Sequence, residues 1–294
     1  MGTALEGKTA IVTGGASGMG LATVERWLAE GASVVCGDLN VDNGRALETV
    51  VAERGLADRF RFTRTDVTVE DDVAAMTELA VEAFGRLDAV FNNAGAGGAF
   101  GPITEQEVDA WDQTFAILVR SVFLGIKHAA RVMIPQGQGG SIINTASVAG
   151  LGGGGGPQAY SAAKAAVINL SQTTALELAP HEIRVNAICP GIIFTPLMHG
   201  GNEAQAEEVI ERLQPLPRRG EGADIAAMAT FLASDESRFV TGVEHVVDGG
   251  LTSAGTRIHG ELHLSRNLHR MAGIAYGTTG QQATVRRLGD EGQT

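Results

Sequence analysis

One α/β domain with a seven-stranded parallel sheet, doubly wound with helices on both faces, is predicted by three observations. Short apolar strand-like runs alternate with helix-like segments along residues 1–250. The first run leads into a glycine-rich turn, Thr13-Gly14-Gly15-Ala16-Ser17-Gly18-Met19-Gly20. Residues able to do chemistry stand just past the ends of these runs, where an open parallel sheet forms its ligand crevice.

The elements follow in order. A strand near 8–13 enters the glycine turn, and a helix-like stretch at 21–29 leaves it. Such a turn keeps backbone N–H groups unobstructed and aims a helix N-terminus outward, which suits a pyrophosphate. Positive φ and close approach of a ligand both exclude a Cβ, hence glycine. A strand near 33–38 ends on Asp38, about 20 residues past the glycines, where an acid binds a ribose 2′-OH. The alternative for Asp38 is an ordinary strand-end turn. Strands near 60–65 and 87–92 close on Asp66-Val67 and on Asn92-Asn93-Ala94-Gly95. Those near 141–146, 183–188 and 243–247 lead to Ser147, Pro190-Gly191 and Asp248-Gly249-Gly250. Long helices are expected near 104–134 and 158–178. The second carries Tyr160 and Lys164 four residues apart, so both leave one face.

Composition narrows the class. With 44% hydrophobic and 19% charged residues over 294 positions, the chain has the makeup of a globular protein with a substantial core. No apolar stretch reaches the roughly 18 residues of a membrane span. Residues 1–8 lack the basic-then-apolar order of a secretory signal. Cys36 and Cys189 lie in or beside apolar runs and read as buried thiols of a cytoplasmic protein. A net charge of −12 argues against nucleic acid or an anionic membrane as partner. The segment 251–294 differs: five arginines outnumber Glu261, Asp290 and Glu291. His259, His263 and His269 crowd it without a partner at ligand spacing, so no metal site is expected.

In this order the motifs resemble those of the short-chain dehydrogenase/reductase family: TGxxxGxG at 13–20, Asp38, Asp66, NNAG at 92–95, Ser147, YxxxK at 160–164, Pro190-Gly191, Thr195 and Asp248-Gly249-Gly250. The resemblance covers about residues 5–252. It implies a Rossmann-like fold and a nicotinamide dinucleotide. By resemblance that cofactor is held by Gly14, Ser17, Gly18, Met19 and Gly20, by Asp38 and Leu39, and by Asp66 and Val67 at the adenine. Asn92, Ala94 and Gly95 would lie at the adjoining ribose region, with Pro190, Gly191, Ile193 and Thr195 toward the carboxamide. Tyr160 and Lys164 complete the set, Lys164 on the nicotinamide ribose. The catalytic residues implied are Ser147, Tyr160 and Lys164. A phenol with a pKa of about 10 needs help to act as a base. The Lys164 ammonium and an oxidised nicotinamide favour its ionised form, and Ser147 would hold the substrate oxygen.

One position departs from the family. Where its helix normally carries an active-site Asn that holds a proton-relay water, this chain has Leu118. A nearby backbone carbonyl or Ser121 is then left to hold that water, and a slower or shifted pH response is expected. Cofactor choice follows from charge. Asp38 repels a 2′-phosphate, and neither the turn nor Leu39-Asn40 supplies a cation, so NAD is favoured over NADP. The pocket-lining candidates Phe194, Leu197 and Met198 carry no charge, pointing to a neutral secondary alcohol or ketone, cyclic or hydrophobic. Core packing is the equal alternative for these three. The glycines at 152–156 read as a mobile substrate entrance, with an inert linker as alternative. Competing functions are an NAD-binding sensor with weak turnover, favoured by Leu118 alone, and an NADPH-dependent ketoacyl reductase, disfavoured by Asp38. The family's long helix pair implies a homotetramer. Residues 251–294 form an extension that covers an active site or strengthens an oligomer. In it Leu264, Leu268 and Met271 share a helical face, and disorder beyond residue 280 is the alternative.

Overall fold

The computed structural model describes residues 3–254, 271–274, 282 and 284–287. Seven strands form one parallel sheet: β1 Thr9–Thr13, β2 Ser33–Asp38, β3 Phe60–Arg64, β4 Ala89–Asn92, β5 Gly140–Thr145, β6 Ile183–Pro190 and β7 Glu244–Val247. Their spatial order is β3-β2-β1-β4-β5-β6-β7. The order therefore reverses between β1 and β4, and the crevice opens beyond the C-terminal ends of these two strands.

Strands buried on both faces need apolar side chains at successive positions, and β1 is buried throughout. Alternate residues feed opposite cores. Val12, Val34 and Cys36 pack on one side with Val24, Trp27 and Ile225, from helices α1 (Gly18–Ala29) and α9 (Gly222–Ala233). On the same side runs α2 (Val41–Glu53), which contributes Leu47 and Val51. Ile11 and Val35 face the other core. There they meet Val73 and Met76 of α3 (Glu70–Phe84), Val122 and Met133 of α5 (Ser121–Gln136), and Val167 of α6 (Gln158–Leu178).

The helix expected near 104–134 is divided. A 3₁₀ turn at Ile103–Glu105 comes first, then α4 (Val108–Phe115), a π-helical turn at Ala116–Arg120, and α5. Gly137, at φ 66°, ends α5 two residues past Pro135. After β6 the chain makes two short excursions, α7 (Pro196–His199) and α8 (Glu203–Leu213), before α9.

Residues 1–250 form one compact unit and 251–294 a second. In the second, β8 (Met271–Ile274) and β9 (Thr284–Arg287) pair antiparallel. Met271 therefore opens a strand instead of closing the expected helical face, because ladder hydrogen bonds to Arg287 take the place of a helical turn. Leu264, Leu268, His259, His263 and His269 lie outside the described residues. Among the described residues no helix is long and apolar enough to cross a membrane.

Candidate active site

The glycine turn joins β1 to α1 and is built from backbone. Gly14 N–H donates to the Gly37 carbonyl at 2.7 Å, and Ala16 N–H to Asp38 Oδ2 at 2.9 Å. Gly14 has φ +64°, and a Cβ there would lie 2.9 Å from Ala94 Cα. At Gly20 a Cβ would run into the Gly14 carbonyl oxygen. Ser17, the N-cap of α1, makes no side-chain cap, and no acid stands in the first helical turn. The first N–H groups of α1 thus have no anionic partner from the chain, the condition a pyrophosphate needs.

The β4 end is stitched to that turn by Asn93. Its N–H donates to Thr13 Oγ1 at 2.9 Å and its Nδ2 to the Thr13 carbonyl at 3.0 Å. Asn92 faces away from the crevice: its Nδ2 donates to Asn144 Oδ1 at 2.8 Å, and Asn144 Nδ2 to Ser171 Oγ at 2.9 Å. The sequence motif Asn-Asn therefore splits into an outer residue at the crevice and an inner one in the packing beneath it.

Tyr160 and Lys164 lie one turn apart on α6, and Ser147 is brought to them from the end of β5. The Ser147 side chain stands close enough to the Tyr160 phenol to bear on its ionisation, and its hydroxyl accepts the Ala149 N–H at 3.1 Å. Lys164 Nζ donates to the Thr145 carbonyl at 2.6 Å and lies 5.7 Å from the Tyr160 ring centroid. With 3% of its surface exposed, Lys164 is a buried cation, and burial pushes its pKa down to about 8. Burial also pushes the Tyr160 phenol up, and the Ser147 side chain opposes that rise. The lowered phenol expected beside an ammonium is therefore not what the protein alone supplies: desolvation of the ring outweighs the opposing Ser147 interaction. Asp66 lies below the usual carboxylate range because Thr68 donates to Oδ1 from both Oγ1, at 2.7 Å, and its N–H, at 2.9 Å.

One cavity of about 380 Å³ unites most of these groups. Its wall holds Gly14, Ser17, Gly18 and Met19, then Asp38, Leu39, Asp66 and Val67, and on the far side Ala94, Gly95, Tyr160, Lys164 and Thr195. Ser147 is buried behind the wall, next to Tyr160. Gly20, Asn92, Pro190, Gly191 and Ile193 stand behind it. Gly191 is pressed on Asp248, where a Cβ would come within 2.6 Å, and Ile193 bridges to Gly220. The residue types fit a nicotinamide dinucleotide. The cradle has no room for a Cβ at Gly14, the α1 N-terminus is uncapped, and Thr145 Oγ1 in the cavity wall is buried with no hydrogen-bond partner.

Leu118 is 1% exposed and forms part of the cavity wall. Ser121 is not turned toward the cavity; its hydroxyl donates back to the Ile117 carbonyl at 2.5 Å. The wall also contains Asn93, Thr145, Gln113 and Ile117, none of them in the sequence-derived set. Asn93 and Thr145 sit at strand ends and were findable by the same rule as Asp38. Gln113 and Ile117, one helical turn apart, carry no chemical mark in the sequence. Of the 152–156 glycines, Gly152–Gly154 stand in open space, while a Cβ at Gly155 would meet Ala149 Cα at 2.7 Å. That end of the run is packed, which an inert linker would not be.

Known proteins are similar to this chain in sequence and in fold. A family model described as "Enoyl-(Acyl carrier protein) reductase" matches residues 14–252. The chain is 40% identical over 249 residues to 3beta-hydroxysteroid dehydrogenase 2 of Eggerthella lenta, covering 84% of this chain and 95% of that protein. It is 41% identical over 263 residues to (+)-borneol dehydrogenase 2 of Salvia officinalis, covering 85% and 90%. The crystal structure of levodione reductase superposes with a TM-score of 0.80 at 35% identity, over 85% of this chain and 99% of the other. With the glycine turn, the Ser147–Tyr160–Lys164 set and these matches on one scaffold, the chain belongs to the short-chain dehydrogenase/reductase family.

Proposed function

We propose that the protein is an NAD-dependent oxidoreductase that interconverts a neutral, cyclic or hydrophobic secondary alcohol and its ketone. The observation that carries this reading is the Tyr160 phenol, beside Ser147 and a buried Lys164, in the same cavity as the glycine turn. The relatives named for a hydroxysteroid, borneol and levodione support a ring-bearing substrate. So do the apolar cavity-wall residues Ile117, Leu118, Pro196 and Leu197.

In this reading the nicotinamide, when bound, supplies the two-electron hydride acceptor or donor. The chain's own residues do the rest. Gly14, Ser17, Gly18 and Met19 would face the pyrophosphate, Asp38 and Leu39 the adenosine ribose, and Asp66 and Val67 the adenine. Ala94 and Gly95 would pass beneath, with Thr195 near the carboxamide. Gly20, Asn92, Pro190, Gly191 and Ile193 act by holding the wall in place. Ser147 Oγ holds the substrate oxygen, and Tyr160 Oη takes the hydroxyl proton during oxidation and returns it during reduction. Lys164 places positive charge below the phenol and favours phenolate. Preference for NAD is supported by the Asp38 carboxylate at the cavity edge, its Oδ1 and Oδ2 turned to the Asn40 and Ala16 N–H groups.

The test is nicotinamide absorbance with NAD, then NADP, over cyclic and aliphatic secondary alcohols. Turnover with NAD is expected, and Tyr160→Phe should lower kcat by about 10²-fold or more while cofactor binding persists. Binding of NAD without turnover on any alcohol would favour the sensor reading. Turnover on NADPH alone would remove the argument from Asp38. A homotetramer is the assembly proposed, supported by Phe123 and Ile134 on α5 and Leu176 on α6, all exposed apolar side chains. The location proposed is cytoplasmic, supported by two free, buried cysteines.

A further inference from the structure

Thr195, Pro196 and Leu197 form one wall of the cavity. The residue that leads into them, Phe194, is held from two sides. The Arg219 guanidinium lies over its ring, Cζ 4.2 Å from the centroid. The His199 imidazole stacks on it with centroids 5.0 Å apart and planes at 28°. Arg219 is in turn bound by two carboxylates: Nε donates to Glu221 Oε1 at 2.5 Å and Nη1 to Glu207 Oε1 at 2.8 Å. Glu207 lies on α8, within the excursion that starts at Phe194, and Glu221 is the N-cap of α9. The two ends of the excursion also meet through backbone, Phe194 N–H donating to the Gly220 carbonyl at 2.8 Å. Arg219 thus touches the entrance of the excursion, its middle and the body to which it returns. Its neighbour Arg218 does not, pairing twice with Asp224 of α9 at 2.7 and 2.8 Å.

The contacts of Arg219 differ in strength. Its side chain, that of Glu207 and that of Glu221 are 41%, 53% and 43% exposed, so water screens both ion pairs. The guanidinium over half-buried Phe194 is the contact that solvent weakens less, and a guanidinium offers a ring a broad face that an ammonium does not.

We propose that Arg219 is a positioning residue for the substrate: by clamping Phe194 against His199 it holds 195–197 in the cavity wall and sets how tightly the alcohol or ketone binds. The kinetic part of this inference rests on the oxidoreductase reading; the structural part does not. The glycine turn has its own anchors, Gly14 to Gly37 and Ala16 to Asp38, so cofactor affinity depends less on the clamp.

The test compares Arg219→Ala, Arg219→Lys, Phe194→Leu and the Arg219→Ala/Phe194→Leu double variant in the full chain. Amide hydrogen exchange is read first and needs no substrate. Exchange across 195–213 should rise about fivefold or more in each single variant, with α3 unchanged. Arg219→Lys should resemble Arg219→Ala, because it keeps the charge and loses the stack. With cyclohexanol as probe, the alcohol KM should rise about tenfold, several-fold more than the NAD KM, and the double variant should be no worse than either single one. Unaltered exchange in Arg219→Ala overturns the clamp whether or not any alcohol turns over. A loosened segment with an unaltered KM, or effects that add in the double variant, overturns the positioning role. If the unsubstituted protein turns over no alcohol, the oxidoreductase reading fails, and the exchange result still decides the clamp.

Discussion

Lys164 is a cation with one hydrogen bond and almost no contact with water. Its pKa is pushed from 10.5 to about 8 by burial, so at neutral pH the folded chain bears the cost of a charge that the unfolded chain leaves solvated. That cost is full below pH 8. It fades between pH 8 and 10.5, where the unfolded chain still binds a proton the folded one has released. Lys164→Met should therefore raise stability at pH 7 by about 1–3 kcal/mol, a gain that shrinks through the alkaline range, while lowering kcat by about 10²-fold or more. Denaturant unfolding at several pH values beside steady-state rates checks both halves. Tyr160 gives a second signed prediction. Burial raises the phenol and Ser147 opposes the rise, so oxidation should speed up with alkaline pH. Ser147→Ala should move the inflection of that limb upward as well as lowering the rate, and a pH–rate profile that merely drops without moving would count against the pair.

Among the elements, the link from β1 to α1 is the least tolerant of change. Gly20 lies so close to the Gly14 carbonyl oxygen that a methyl group has no place to go without moving backbone. Gly20→Ala should cost about 3 kcal/mol of stability and weaken NAD binding about tenfold or more, since the N–H groups proposed to face its pyrophosphate would shift. Thermal unfolding and a fluorescence titration with NAD measure the two effects. The helix formed by α4, the π turn and α5 gives a different lesson. Its π turn contains Leu118, the position that the sequence resemblance matches to the family's Asn, and π turns are frequent at functional sites. Here the side chain at that position offers only apolar surface to the cavity. Ser121 is already bonded to Ile117, so this hydroxyl is committed to the helix instead of to a relay.

For the molecule as a whole, the sheet is covered by helices on both faces, and each face has its own buried cluster within residues 1–250. A chain truncated after Ala254 should then unfold within about 3 °C of the full chain. Failure of the truncated chain to fold would mean that the extension completes the core. Light scattering on both chains tests the proposed tetramer and shows whether residues 251–294 contribute to it.

The sequence by itself determined the class of sheet, the order of its strands along the chain and many of the residues that line the cavity at its crevice. These are written in short-range terms: runs buried on both faces, glycines where a Cβ cannot fit, and a Tyr and Lys one helical turn apart. The seven strands appear within two residues of their expected starts and ends. Asp38 and Asp66 line one cavity because each stands at or just past the end of a strand. Only the tertiary structure decided which of two adjacent asparagines faces the crevice, since a strand sends successive side chains to opposite sides. It also decided that burial raises the Tyr160 phenol, and that Arg219, 25 residues beyond Phe194, returns to lie over its ring. Desolvation and long-range stacking depend on what surrounds a residue in space, and no local pattern in the chain records that.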